Sequence, residues 1–161
     1  SIIAAMLAKA LRFESDRPVE TVGLASLLHD IGLCDMPPDF REENADKLPQ
    51  ELLEKYQEHP AKGAEILRKI PGIQTVAVQA VAQHHRRRGK KVFPSNHAVG
   101  QINRVAEIIG ISDEFVCVLA RMKTDPTISL YDEMSKHFPG FSFPVVEAFR
   151  TLFFFPKADG L

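Results

Sequence analysis

Cysteine is scarce in this chain, neither sign of charge dominates, and no uninterrupted apolar run is long. Two cysteines in 161 residues, Cys34 and Cys117, cannot build a disulfide framework. Neither sits in a Cys-x-x-Cys spacing, so both are expected to be small buried apolar residues in a reducing compartment. Twenty Lys and Arg against 21 Asp and Glu leave a net charge of -1, which excludes a global attraction to DNA or anionic membrane. The apolar opening from Ser1 to Leu11 is broken by Lys9 and Arg12, and the run Leu152 to Phe155 falls far short of the roughly 20 residues that span a bilayer. Nothing resembles a secretory leader, so a cytoplasmic location without membrane attachment is expected. Absent too are Asn-Gly or Asp-Gly hairpin signals, internal repeats and low-complexity segments.

What is present is apolar periodicity at helical spacing nearly everywhere, with 45% apolar residues to fill one core. The expectation is an all-α fold and a single domain over 1–161. Helices are predicted at about 2–13, 18–32, 49–57, 60–70, 73–87, 97–109, 112–122, 129–137 and 143–154. Pro71-Gly72 reads as a break, and the segment from Met36 to Lys47 as a surface connection. The chain opens without methionine inside an apolar stretch, which reads as a helix whose beginning lies upstream. A truncated domain of a longer parent chain, with a regulatory domain before it, is therefore expected.

Several predicted helices carry a metal-capable side chain on their apolar stripe, where an ionisable group without compensation is costly. Val22, Ala25 and His29 share a face, with Asp30 next along the chain; Ala77, Ala80, Val81 and His84 share another, with His85 on its edge. Ile102, Val105, Ala106, Ile109, Asp113, Val116, Cys117 and Ala120 form one stripe if the helix runs through or bends at Gly110. A lone inward histidine is ordinarily a hydrogen-bonded core residue. Together with His59, four histidines and two acids converging near the ends of inward stripes point instead to a polynuclear metal centre of imidazole and carboxylate ligands, suited to iron, manganese or zinc. His97 and His137 are read as peripheral, His137 as a helix-end residue near a C-terminal carbonyl.

These residues fall into an ordered set. Leu27-Leu28-His29-Asp30-Ile31-Gly32, His59-Pro60 followed by Gly63-Ala64-Glu65-Ile66-Leu67, His84-His85, Ile111-Ser112-Asp113-Glu114-Phe115 and the closing Phe141 to Phe149 resemble, in sequence, the motifs of the HD-GYP branch of the HD-domain phosphohydrolases. The resemblance implies a helical bundle around two or more divalent metal ions, iron first and manganese next, hydrolysing the bacterial messenger cyclic di-GMP. It assigns His29, Asp30, His59, His84, His85 and Asp113 as ligands, with Asp30 bridging metals. A further ligand that the family draws from the preceding helix would lie upstream of Ser1.

The pattern also departs from the family. Leu33 stands where the His-Asp-Ile-Gly motif continues to lysine. In the stretch from His84 to Pro94 only the two histidines and Pro94 are retained, with Phe93 replacing the tyrosine. The basic run from Arg86 to Lys91 is expected to supply phosphate-binding cations, Arg86, Arg87 and Lys90, joined by Arg121 and Lys123 farther along. Two functions follow: a cyclic di-GMP phosphodiesterase, or a catalytically degenerate sensor or scaffold that binds nucleotide or partner signalling proteins without turnover.

Overall fold

The computed structural model describes residues 2–12, 16–38, 40, 47–88 and 101–155. Among these residues there is no strand, as the helical periodicity implied. The elements are α1 (Ile2–Ala10), α2 (Asp16–Leu28), a 3-10 turn (Ile31–Leu33), α3 (Gln50–Arg68), α4 (Thr75–Gln83), α5 (Arg104–Thr124), α6 (Leu130–His137), a second 3-10 turn (Phe138–Gly140) and α7 (Phe143–Phe153). No helix among the described residues is long and apolar enough to cross a membrane.

The core is organised around α5, which packs on α1, α2, α4 and α6. Every residue from Val105 to Ser112 is buried, as expected of a helix apolar on all sides. Against it lie Ala4, Leu7 and Ala8 of α1, Val22 and Ala25 of α2, and Ala77, Val78, Ala80 and Val81 of α4. Val145 and Phe149 of α7 close the other side, with the Phe115 and Phe149 rings edge-on at 5.3 Å. The Asn103 side chain caps α5 by accepting from the Val105 N–H, while its own N–H donates to Gln83 Oε1 at the end of α4. The two helices are thereby held end to end.

One buried carboxylate within this core had no place in the sequence reading. Glu107, 1% exposed, accepts from both the backbone N–H and the hydroxyl of Ser142 at 2.8 and 2.7 Å, and from Arg88 at 3.1 Å. It fastens the corner after the second 3-10 turn to the first turn of α5.

The boundaries of five helices differ informatively from expectation. The predicted helices 49–57 and 60–70 are a single α3 running through Pro60. Proline cannot donate to the carbonyl four residues back, but here that carbonyl, of Tyr56, lies 2.5 Å from His59 Nδ1. The histidine ring replaces the lost backbone donor and the helix continues. Likewise 97–109 and 112–122 are parts of one α5, beginning at Arg104 and running through Gly110; residues 97–100 lie outside the described residues. In the other direction, α2 stops at Leu28 and α4 at Gln83, so that His29-Asp30 and His84-His85 stand in turns just past the helix ends. The opening helix ends early as well, Arg12 adopting φ 49°.

Close backbone approach explains two glycines. A Cβ on Gly32 would stand 2.1 Å from the His59 carbonyl oxygen, and one on Gly110 would stand 2.3 Å from that of His84. Each lets the chain beside a histidine be pressed against a neighbouring element. Gly110→Ala is expected to destabilise by about 1–3 kcal/mol through overpacking against backbone. Gly23→Ala, where a Cβ meets nothing within 4 Å inside α2, should gain about 0.5–1 kcal/mol. Urea titration of the two variants checks this, and equal midpoints would show that the α4–α5 contact is looser than described.

Candidate metal centre

The turn after α2, the middle of α3, the turn after α4 and the middle of α5 bring six ionisable side chains to one place. His29 Nε2 lies 3.2 Å from Asp30 Oδ2 and 3.6 Å from Asp113 Oδ1. Asp30 Oδ1 lies 3.4 Å from His59 Nε2 and 3.8 Å from His84 Nε2. The His84 and His85 rings lie 4.2 Å apart between centroids, tilted at 47°, and His59, His84 and His85 can each direct a ligand atom to within 4.8 Å of the others. His59 and His84 are wholly buried, while His29, Asp30, His85 and Asp113 are partly so. All six residues expected to be ligands therefore meet.

Backbone chemistry sets the orientation of the two buried rings. His59 Nδ1 faces the Tyr56 carbonyl that Pro60 cannot serve, and His84 Nδ1 is 2.6 Å from the carbonyl of Val81, in the last turn of α4 where carbonyls lack intrahelical donors. A carbonyl only accepts, so in each ring Nδ1 carries the proton and, in the neutral ring, Nε2 carries the lone pair. These two Nε2 atoms are 3.1 Å apart and both face the Asp30 carboxylate. Electron-rich atoms converge here without an intrinsic donor between them. A shared proton could serve one such contact. Four imidazoles and two carboxylates fit divalent cations better, because this donor set and the fixed Nδ1 tautomers are what nitrogen and oxygen ligation of a metal requires.

The electrostatics agree. Burial chiefly, then the neighbouring rings, lowers the His84 pKa well below its usual value, and burial with His59 lowers that of His85 to about 3. Both rings are held neutral, the ligating form. Burial opposes ionisation of Asp30, but the surrounding imidazoles, His59 first among them, outweigh it and keep the carboxyl below its ordinary range.

The expected phosphate-binding cations are placed differently from one another. Arg86 is partly buried and follows His85 directly. Arg87 departs from the expectation of a solvent-facing clamp: it is 8% exposed, its guanidinium donating to the carbonyls of His84 and Arg86 and to Glu114. Lys90 lies outside the described residues, as do His97, Phe93 and Pro94. Arg121, which faces Glu133 at 3.7 Å, and exposed Lys123 stand two turns and more beyond Asp113 along α5, about 12 and 15 Å at the helical rise. His137 does end α6, but its Nδ1 meets Glu114 at 3.2 Å rather than serving a carbonyl. Cys34 corrects the expectation of a buried thiol: it is exposed on the turn after Leu33, beside Asp35.

Two contributors escaped the sequence reading. Tyr56 supplies the carbonyl that orients His59, and its ring packs against His59 and His85 at 5.1 and 5.8 Å. The signal was its position four residues before Pro60. Glu114 accepts from Arg87 at 2.9 Å and meets His137; although burial opposes it, these partners hold its carboxyl at about 2.

Comparison with known proteins agrees with this arrangement. The HD domain family matches residues 1–135 of the chain. A cyclic di-GMP phosphodiesterase of Pseudomonas aeruginosa is 29% identical over 116 residues, which cover 71% of this chain and 28% of that protein. The chain thus spans well under half the length of that relative.

The neutral rings give the metal-free fold a pH dependence. Their folded pKa values lie below the ordinary 6.5, so the unfolded chain takes up protons first. The stability they contribute is complete above about pH 6.5 and is lost as pH falls toward 3, at up to about 1.4 kcal/mol per pH unit for each ring. Asp30 and Glu114 act in the same direction, but only below their ordinary values of 3.8 and 4.5. Between about pH 6.5 and 4.5 the loss belongs to the histidines. The urea midpoint of chelator-treated protein should fall across that window, and His85→Gln should flatten the slope; an unaltered slope would mean that His85 is not held neutral.

Proposed function

We propose that this chain, which belongs to the HD-domain family, is a metal-dependent phosphodiesterase of the HD-GYP type acting on cyclic di-GMP in bacterial second-messenger signalling. The observation that carries the reading is the meeting of His29, Asp30, His59, His84, His85 and Asp113 at one partly buried place, with the Nε2 atoms of His59 and His84 turned toward Asp30. The similarity to a cyclic di-GMP phosphodiesterase supports the choice of substrate.

Those six residues would hold the metal ions, iron first and manganese next, the Asp30 carboxylate being within 4 Å of His29, His59 and His84. Bound metal supplies an activated water and neutralises charge on the phosphoryl group. The chain's own residues do the rest. The carbonyls of Tyr56 and Val81 keep the two buried rings in one tautomer and one orientation. Arg86, directly after His85 in the chain, would meet a phosphate oxygen, and Lys90, outside the described residues, is the second cation of that run; Arg121 and Lys123 lie far enough along α5 to meet only a distal part of a dinucleotide. Leu33, at the end of the 3-10 turn, cannot give a proton to a leaving oxygen. The rival reading, a degenerate sensor that binds nucleotide or a partner protein without turnover, draws on that leucine.

Turnover and binding of cyclic di-GMP measured on the same metal-loaded protein separate the two. Hydrolysis to a linear product is the expected result; tight binding without turnover would overturn the enzyme reading. Arg86→Ala should weaken nucleotide binding by about 1.5–3 kcal/mol, roughly ten- to a hundredfold in Kd, at unchanged metal content. Equal affinity would make Arg86 a solvated surface charge.

A further inference from the structure

Arg87 stands among three consecutive arginines, yet it is the one that turns inward. Its Nη1 donates to the His84 carbonyl at 2.6 Å and the Arg86 carbonyl at 3.0 Å; its Nη2 donates to Glu114 Oε1 at 2.9 Å and reaches the Gly110 carbonyl at 3.4 Å. The guanidinium carbon lies 4.5 Å over the Phe141 ring. Two glycines make room for this one side chain. A Cβ on Gly110 would stand 2.8 Å from Nη1, and one on Gly140 would stand 3.1 Å from the Arg87 stem. A fork-shaped cation in a slot formed by Gly110, Gly140 and Phe141, with three backbone carbonyls and one carboxylate around it, is a built site for arginine.

What the slot joins matters for the metal centre. His84 is one expected ligand and His85 the next residue; Gly110 lies one turn before Asp113 on α5, and Glu114 immediately follows it. We infer that Arg87 is a positioning residue for the metal centre: it locks the His84-His85 turn against the turn of α5 that carries Asp113, so that ligands from two helices keep a fixed separation. Glu114, held in turn by His137 of α6, anchors the far side of the brace. This assigns the middle arginine of the basic run to building the centre rather than to binding phosphate, and it rests on the metal-binding reading above. The geometry also satisfies two carbonyls where α4 ends: the His84 ring serves Val81 and Arg87 serves His84.

Lysine at this position would keep the charge but could not span the His84 and Gly110 carbonyls and Glu114 together. The test compares Arg87→Lys, Arg87→Met and Glu114→Gln with Leu7→Val as control, since Leu7 is wholly buried in α1, which carries none of the expected ligands. Manganese affinity and stoichiometry are measured by isothermal titration and elemental analysis, and folding by far-ultraviolet circular dichroism and urea titration. Arg87→Lys and Arg87→Met are expected to bind manganese about 10–100-fold more weakly with helix content retained. Glu114→Gln should show a smaller loss of affinity, and Leu7→Val should lower the urea midpoint alone. Should Arg87→Met fail to fold, Arg87→Lys and Glu114→Gln carry the same comparison. Arg87 variants that lose stability but bind manganese like the unaltered protein would overturn the inference and leave the metal reading intact. Unaltered protein that binds neither manganese nor, with oxygen excluded, ferrous iron would overturn both.

Discussion

Two imidazole nitrogens that each present a lone pair, 3.1 Å apart beside a carboxylate, are the constraint around which this molecule is arranged. Left to themselves such atoms would turn to donors elsewhere. They are prevented by their own rings' other nitrogens, each spent on a backbone carbonyl that the helix geometry leaves in need. For His59 the need arises from Pro60; for His84 it arises from the end of α4. The same local act satisfies the backbone and aims the ligand, so the helix and the site have a common cause.

Packing of the surrounding helices serves this arrangement. The backbone of α5 is drawn onto the His84 carbonyl at Gly110, and the 3-10 turn after Asp30 onto the His59 carbonyl at Gly32. Both contacts leave no space for a methyl group, and both lie beside a ligand. Rigid seating of this kind is what a preorganised polar cluster demands, because ligands that could separate would gain water and lose the geometry that favours a cation over a proton. Burial of His84 and His85 in neutral form costs stability at acidic pH, and the apolar core along α5 offsets that cost.

Much of this was legible in the sequence, and the failures have physical reasons. Helical periodicity located the inward stripes and placed His84, His85 and Asp113 near the core, because side chains three and four apart share a face whatever follows. His29 was found by the same stripe, although it stands just past the end of α2. Pro60 and Gly110 were read as interruptions because local propensity penalises both. What rescues them is nonlocal in one case, the approach of α4 at Gly110, and a side-chain donor in the other, His59 Nδ1. The run from Arg86 to Arg88 carries no periodicity, so nothing in it distinguished the buried Arg87 from its exposed neighbour Arg88; only the slot formed with Gly110, Gly140 and Phe141 does. Glu107 lies next to Ala106 on a helix buried all round, and its partner Ser142 is 35 residues away, beyond any local signal.

The central claim is that the cluster is a metal centre, and the most direct measurement is the metal content per chain of protein purified without oxygen, alongside His85→Ala purified in the same way. The account predicts two or more iron or manganese ions per chain in the unaltered protein and fewer in the variant, with helix content nearly retained in both. No tightly bound metal in the unaltered protein, even after reconstitution with either ion, would contradict it and leave the converging lone pairs of His59 and His84 to be satisfied by a shared proton.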